Sequence, residues 1–307
     1  MQRVFEYQIE ASQSGVRIGD FLRSMGYSRH ILTHLKQTDC GIMVNGSCSY
    51  TNQVLQKGDT LRIFILEEEG SRQILPVPMK LNIVYEDKDL MIINKPSDMP
   101  VHPSIGNHEN TLANGIVSYF AEQNIPYTYR CINRLDRDTS GLLILAKHML
   151  SSALLSSMSS RHLIRREYFA LTEGLLPDSG TISAPIARVC DSAIQRCVDY
   201  EHGEQAVTHF IRIGYENNIS AALIHLETGR THQIRVHMNY IGHPLLGDFL
   251  YNPGYLERSD CKIRRQALHS CRLTFKHPVT HESMSFFAEP PADIRNCISI
   301  CDKVLHS

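Results

Sequence analysis

The residues best suited to chemistry lie together in Asn133-Arg134-Leu135-Asp136-Arg137-Asp138-Thr139-Ser140-Gly141, which runs directly into the apolar Leu142-Leu143-Ile144-Leu145-Ala146. Two carboxylates and two guanidinium groups share five positions. A carboxylate beside arginines is expected to be ionised at neutral pH, because nearby positive charge favours the charged form. At the mouth of a buried strand, such a group is held rigidly and can face a ligand. The same residues would also make a plain salt-bridged loop, since structural ion pairs look alike at this level. For Asp138 the structural role is expected: an aspartate before Thr-Ser-Gly most naturally bonds its own turn.

The elements that must position this loop come in a clear order. Phe5, Tyr7 and Ile9 alternate with polar residues, a strand pattern. Ile18, Phe21, Leu22 and Met25 share one face of a short helix ended by Gly26. Ser28 is placed to cap a second helix, with Ile31, Leu32 and Leu35 inward and Arg29, His30, His34 and Lys36 outward. Ile42-Met43-Val44 leads into an Asn45-Gly46 turn, and a further strand covers 61–66. Glu67-Glu68-Glu69 and Pro76-Val77-Pro78 read as a link that few contacts cross. Beyond it come a hairpin about Glu86–Asp89, a helix near 111–122 and a helical run at 148–161. Strands are expected at 167–171, 206–213, 221–226, 271–276 and 283–288. A helix capped by Thr231, carrying Ile234, Met238 and Ile241, should end at Gly242. Many strands on short turns, with helices between some of them, predict an α+β fold with a largely antiparallel sheet.

Composition sets bounds. The chain has 307 residues, 42% of them hydrophobic, enough for about two domains with a sizeable core. A net charge of −1 provides no global basic field, so a nucleic-acid partner must be gripped by a local basic surface. There is no apolar signal core at the N-terminus and no run of the ~18 apolar residues that a membrane span needs. The expectation is a soluble, cytoplasmic monomer with no membrane partner. Nine cysteines without a CxxC are expected as free thiols, Cys297 and Cys301 being the closest pair. Sixteen histidines without HExxH or paired CxxC give no metal site.

Several unusual strings occur in fixed order: INKP…PVHP, NRLDRDTSGLLILAK, REYFALTEG, PIAR, LETGRTHQIRVHM, IGHPLLGD and RQALH…HP. Together they resemble the RluA-type family of RNA pseudouridine synthases over residues 81 to about 293. Residues 14–66 resemble the S4-type RNA-binding domain, through GVRIGDFL, Ser28-Arg29, Val44-Asn45-Gly46 and Lys57-Gly58-Asp59. The resemblance implies a pseudouridine synthase fold with a mixed, largely antiparallel sheet and a central RNA-binding cleft, behind a small N-terminal α/β S4-type domain. It divides the chain into 1–70, a linker at 71–80, and a catalytic domain at 81–307.

It also implies roles. Asp136 matches the catalytic aspartate, Tyr168 the active-site tyrosine, and Arg235 the basic residue paired with that aspartate. Arg134 matches an arginine that helps displace the target base from the RNA stack. Arg29 and Lys36 would contact RNA phosphates, and Arg230, His232 and Gln233 would line the RNA groove. Lys95, His102 and Arg188 are further rim candidates. Asn133 departs from the family, which usually has His there. No cofactor and no metal are implied. The partner is RNA, most naturally large-subunit (23S) ribosomal RNA, with transfer RNA as the alternative. From other function classes, Asp136, Tyr168 and Arg235 together argue against a non-catalytic RNA-binding protein. A glycosidase or nucleosidase with paired carboxylates is discounted because Asp138 lies only two residues from Asp136 and is committed to the turn.

Overall fold

The computed structural model describes residues 1–190, 192 and 194–299. Its elements are, in order, β1 (Gln2–Gln8), α1 (Ile18–Ser24), α2 (Arg29–Gln37), β2 (Ile42–Val44), β3 (Ser47–Cys48), β4 (Thr60–Leu66), β5 (Ile83–Glu86), β6 (Leu90–Lys95), α3 (Leu112–Ala121), β7 (Ser140–Ala146) and α4 (Met149–Ser160). There follow β8 (Arg165–Glu173), β9 (Ser179–Ser183), β10 (Ile186–Arg188), β11 (Arg196–Val198), β12 (Val207–Glu216), β13 (Ile219–Leu226), α5 (Gln233–Tyr240), α6 (Pro253–Leu256), β14 (Leu268–Lys276), β15 (Ser283–Phe287) and α7 (Ala292–Arg295). Two compact units emerge. One comprises Met1–Ile92, His102–Ile132 and Ile144–Arg161; the other comprises Ile93–Val101, Asn133–Leu143 and the chain from His162 onward. Among the described residues, no helix is long and apolar enough to cross a membrane.

The first unit opens with a four-stranded antiparallel sheet in the order β1-β4-β2-β3. Two helices bury apolar stripes in the same unit. The Ser28 hydroxyl accepts from the Ile31 N–H at 3.3 Å, so α2 starts where its cap predicts. Ile31, Leu32 and Leu35 are buried, while Arg29, His30 and Lys36 are exposed. His34 differs from expectation. Its Nε2 bonds the Leu66 carbonyl at 2.8 Å, which draws the ring off the outer face. Asn45 and Gly46 both have positive φ, 50° and 83°, as a type I′ hairpin turn requires.

That hairpin overturns the expectation of free thiols for two cysteines, while Cys131, Cys190, Cys197, Cys261, Cys271 and Cys297 are free as expected. It sets Cys48 opposite Met43, and Cys40 and Cys48 form a disulfide with Cα atoms 4.9 Å apart. Cys301 lies outside the described residues. The acidic stretch after β4 is also less isolated than its composition suggests. Glu67 is buried and paired with Arg130, and the Ser71 N–H donates to the Tyr127 carbonyl at 3.0 Å.

In the second unit, β8 lies between β13 and β14, antiparallel to both; β12 and then β9 continue the sheet beyond β13. Strand β14 also pairs antiparallel with β15 and, at His269 and Ser270, parallel with Ser140 and Gly141 at the start of β7. The sheet is therefore mixed and largely antiparallel. At Gly141 φ is 115°, and a Cβ would stand 2.3 Å from the Ser270 carbonyl oxygen. Only glycine permits that approach.

Helix α5 starts one residue later than a Thr231 cap would give. Its N-cap is His232, in the left-handed region at φ 58°, with no side-chain cap bond. The reason is Gln233, whose Oε1 accepts from the Arg230 N–H at 3.0 Å and from the Thr228 hydroxyl at 2.8 Å. The loop is closed from inside the helix, and Thr231 has no capping work left.

Candidate active site

Asp136 sits in the loop before β7, and three anchors hold that loop. The Thr139 N–H closes the turn onto the Asp136 carbonyl at 3.1 Å. Arg265, fastened to Asp293 by two hydrogen bonds of 2.7 and 2.9 Å, donates to the Asp138 carbonyl at 2.9 Å. Lys95, fully buried, donates to the carbonyls of Pro96, Met99 and Arg137 at 2.7, 2.9 and 2.9 Å. Burial pushes the Lys95 ammonium down to about 7, against the opposing pull of Asp138 and Asp136. The structural role of Asp138 thus runs mainly through its backbone. Its carboxylate faces Arg137 at 3.9 Å, while Arg137 pairs with Asp98.

The Asp136 carboxylate is half-buried, and its Oδ2 accepts from Arg235 Nη1 at 3.1 Å. Arg235 comes from α5 and is itself buried. Its Nε and Nη2 make a bidentate pair with Asp248 at 2.7 and 2.8 Å. Asp248 is wholly buried, and its Oδ1 also accepts the Leu250 and Tyr251 N–H groups at 3.0 and 3.2 Å. Burial alone would disfavour the guanidinium cation, but Asp248 and Asp136 outweigh it and raise its pKa. Arg235 is therefore a permanent cation, fixed by one carboxylate and presented to another. The rings of Tyr251 and Phe249 lie 5.1 and 5.7 Å from its Cζ.

Tyr168, on β8, is 4% exposed, between Ile224 of β13 and Ser270 of β14. Burial raises its phenol pKa; Arg166 opposes the rise and Asp136 adds to it, so both charges act on this ring. Arg166 is two residues back, on the same face of the strand. Its Nε is buried without a hydrogen-bond partner.

His232 is largely buried. Its Nε2 is 3.9 Å from Asp136 Oδ2, and its Nδ1 is 3.0 Å from the Tyr251 hydroxyl. Burial lowers its pKa, and Arg235 and Arg196 push the same way against Asp136 and Asp248.

The remaining sequence candidates scatter. Arg134 is exposed in the Asp136 loop, and Arg188 is exposed at the end of β10. Arg29 and Lys36 are exposed on α2 of the first unit, and His102 in that unit packs its ring against Tyr129. Arg230 is tied to Glu204 and to the Gln205 carbonyl. Gln233 is buried, and its amide also donates to the Val207 carbonyl and the Thr208 hydroxyl, both at 3.0 Å. With four protein partners, it has no hydrogen bond left for RNA. Asn133, where a histidine is usual, is buried and donates to the Leu142 carbonyl at 3.5 Å.

Sequence reasoning missed Asp248, Tyr251 and Arg166. Asp248 reads as a turn residue in GHPLLGD. No signal in the sequence separates it from other turn aspartates; the tight approach at the preceding Gly247, at φ 70° with a Cβ 2.2 Å from the Arg265 carbonyl oxygen, shows only in the fold. Arg166 was detectable by strand periodicity from Tyr168.

A family model described as RNA pseudouridylate synthase matches residues 89–240. An RNA pseudouridine synthase of Bacillus subtilis, YjbO, itself described as uncharacterized, is 39% identical over 92% of this chain and 98% of its own length. Ribosomal large subunit pseudouridine synthase D of Neisseria meningitidis serogroup A is 36% identical over 89% of this chain and 75% of its own. The enzyme of that name in Haemophilus influenzae is 33% identical over 93% and 91%. Among solved structures, human RNA pseudouridylate synthase domain containing 1 superposes with a TM-score of 0.58 at 25% identity, covering 72% of this chain and 87% of that one.

Proposed function

Because the chain belongs to the RNA pseudouridylate synthase family, we propose that it isomerises a uridine of large-subunit ribosomal RNA, with Asp136, Tyr168 and Arg235 as its catalytic residues. Support for that RNA comes from the relatives named for the large ribosomal subunit. The catalytic assignment rests above all on one observation: a half-buried carboxylate held by an arginine that a second, buried carboxylate has already fixed.

Conversion of uridine to pseudouridine breaks the N1–C1′ bond, turns the base over and joins C5 to C1′. The proton on C5 is lost and one is gained at N1. No electrons are gained or lost, and nothing is consumed, so the residues themselves can carry the reaction without a cofactor. Asp136 acts as nucleophile at the sugar or the base, or as counter-charge to a sugar cation. Arg235 keeps its carboxylate ionised and oriented. Tyr168 offers a ring face to the uracil and a hydroxyl for the proton transfer. The uridine must leave its stack to reach Asp136, and Arg134, exposed in the same loop, fills the gap.

Residues 14–66 serve as an S4-type module within 1–70, joined through 71–80 to a catalytic domain beginning at 81. The exposed Arg29 and Lys36 are its phosphate contacts. The deciding experiment is chemical mapping of pseudouridine across total RNA from cells with the wild-type protein, with Asp136→Asn, and with neither. A site in large-subunit RNA that needs Asp136 is the expected result. A site in transfer RNA would overturn the substrate, and tight RNA binding without any modification would overturn catalysis.

A further inference from the structure

The two oxygens of the Asp136 carboxylate are not equivalent. Two nearby nitrogens, Arg235 Nη1 at 3.1 Å and His232 Nε2 at 3.9 Å, converge on Oδ2. We propose that His232 is a positioning residue for Asp136. Its neutral imidazole, locked by Tyr251 in the tautomer that carries the proton on Nε2, steadies Oδ2 so that Oδ1 meets the substrate. This rests on the reading of Asp136 as the catalytic carboxylate.

The proposed tautomer is the one that gives the Tyr251 hydrogen an acceptor. The Tyr251 hydroxyl accepts from the Arg196 N–H at 2.9 Å. Its own hydrogen then has His232 Nδ1, 3.0 Å away, as acceptor. In the proposed tautomer Nδ1 accepts that hydrogen, and the ring's single proton sits on Nε2, the nitrogen that faces Asp136. At 3.9 Å the contact is longer than a hydrogen bond. Hydrogen bonds of catalytic groups are often long without substrate and tighten in the complex.

Two further features fit. His232 holds φ at 58°, in the left-handed region that a histidine adopts at a cost. No cap bond repays that cost, because the side chain makes none to the helix. With that backbone conformation the imidazole stands between Tyr251 and Asp136. A neutral donor also suits the site. The charged and titratable groups around the ring are Asp136, Asp248, Arg235, Arg196 and Tyr251. Arg235 already supplies the permanent cation. Burial holds His232 below its ordinary range, and a second cation would compete for the carboxylate that must react. Protonation of Nδ1 would also expel the Tyr251 hydrogen and unlock the ring.

The test is single-turnover kinetics on an unmodified large-subunit ribosomal RNA transcript that the wild type modifies, with RNA affinity measured in parallel. His232→Phe should slow the step at saturating RNA about 10- to 100-fold, with affinity unchanged. His232→Gln restores an N–H donor, so it should run faster than His232→Phe and lose an acid-side fall in rate that the wild type shows. Tyr251→Phe frees the tautomer and should slow the same step. A normal saturated rate with weakened RNA binding in His232→Phe would overturn the proposal in favour of an RNA contact. A His232→Gln enzyme as slow as His232→Phe would overturn it in favour of a packing role. Asp136→Asn separates the two levels. If it is active, the catalytic reading falls and this inference with it; if it is inactive while His232→Phe is normal, only the inference falls.

Discussion

Arg235 gives Asp248 two hydrogen bonds and Asp136 one. The stronger attachment goes to the partner that takes no part in the proposed reaction. Stability and activity should therefore divide between the two carboxylates. Asp248→Ala leaves a buried guanidinium short of its main partner and should cost about 3–5 kcal/mol. Asp136→Ala removes a half-exposed partner and should cost about 1 kcal/mol while abolishing turnover. Urea unfolding of both variants checks the difference, and equal losses would count against it.

Lys95 sets a pH dependence with two signs. Three carbonyl acceptors use all three ammonium hydrogens, so the loop clamp is complete only while Lys95 is charged. Burial depresses the folded pKa from 10.5 to about 7. The unfolded chain thus binds more protons between about pH 7 and 10.5, and this group's contribution to stability rises with pH in that window. Activity should move the other way, falling as pH passes about 7. Lys95→Met should be slow and lack that alkaline fall. A rate profile from pH 6 to 9, set beside thermal melts, reads both.

Gly141 is tested by the smallest change. Gly141→Ala brings a methyl carbon to 2.3 Å from the Ser270 carbonyl at a φ of 115°. Destabilisation of about 2–4 kcal/mol is expected, since β7 must move off β14 or the backbone must twist. An unchanged melting temperature would refute the argument.

Arg29 and Lys36 should act through salt alone. Each alanine variant should flatten the slope of log affinity against log salt by about 0.7–0.9. The modification rate at saturating RNA should hold. A reduced saturated rate would tie the helix to chemistry rather than to binding.

Much of the scaffold was legible because it is periodic. The pattern around Tyr168 places a strand that extends, in the fold, over Arg165–Glu173, and the run after His148 becomes α4 almost residue for residue. The pairing of Asp136 with Arg235 was different. The two lie 99 positions apart, and only family resemblance joined them in advance. Asp248 was illegible because a buried aspartate in a turn-rich segment looks like any turn aspartate. The start of α5 was misplaced because local rules favour threonine as a cap, whereas Gln233 satisfies the loop from within the helix. The Cys40–Cys48 bond was missed because no spacing rule encodes which thiols a hairpin aligns.

Gln233 uses every hydrogen-bonding group of its amide on its own chain. Asparagine is one methylene too short for those partners, glutamate lacks the donors, and lysine lacks the acceptor. Two selections on a saturation library would reveal the difference between such a side chain and a chemical one. Selection for catalysis should reject substitutions at both 233 and 168. Selection for soluble folded protein alone should relax the second position to other aromatics and leave the first as intolerant as before.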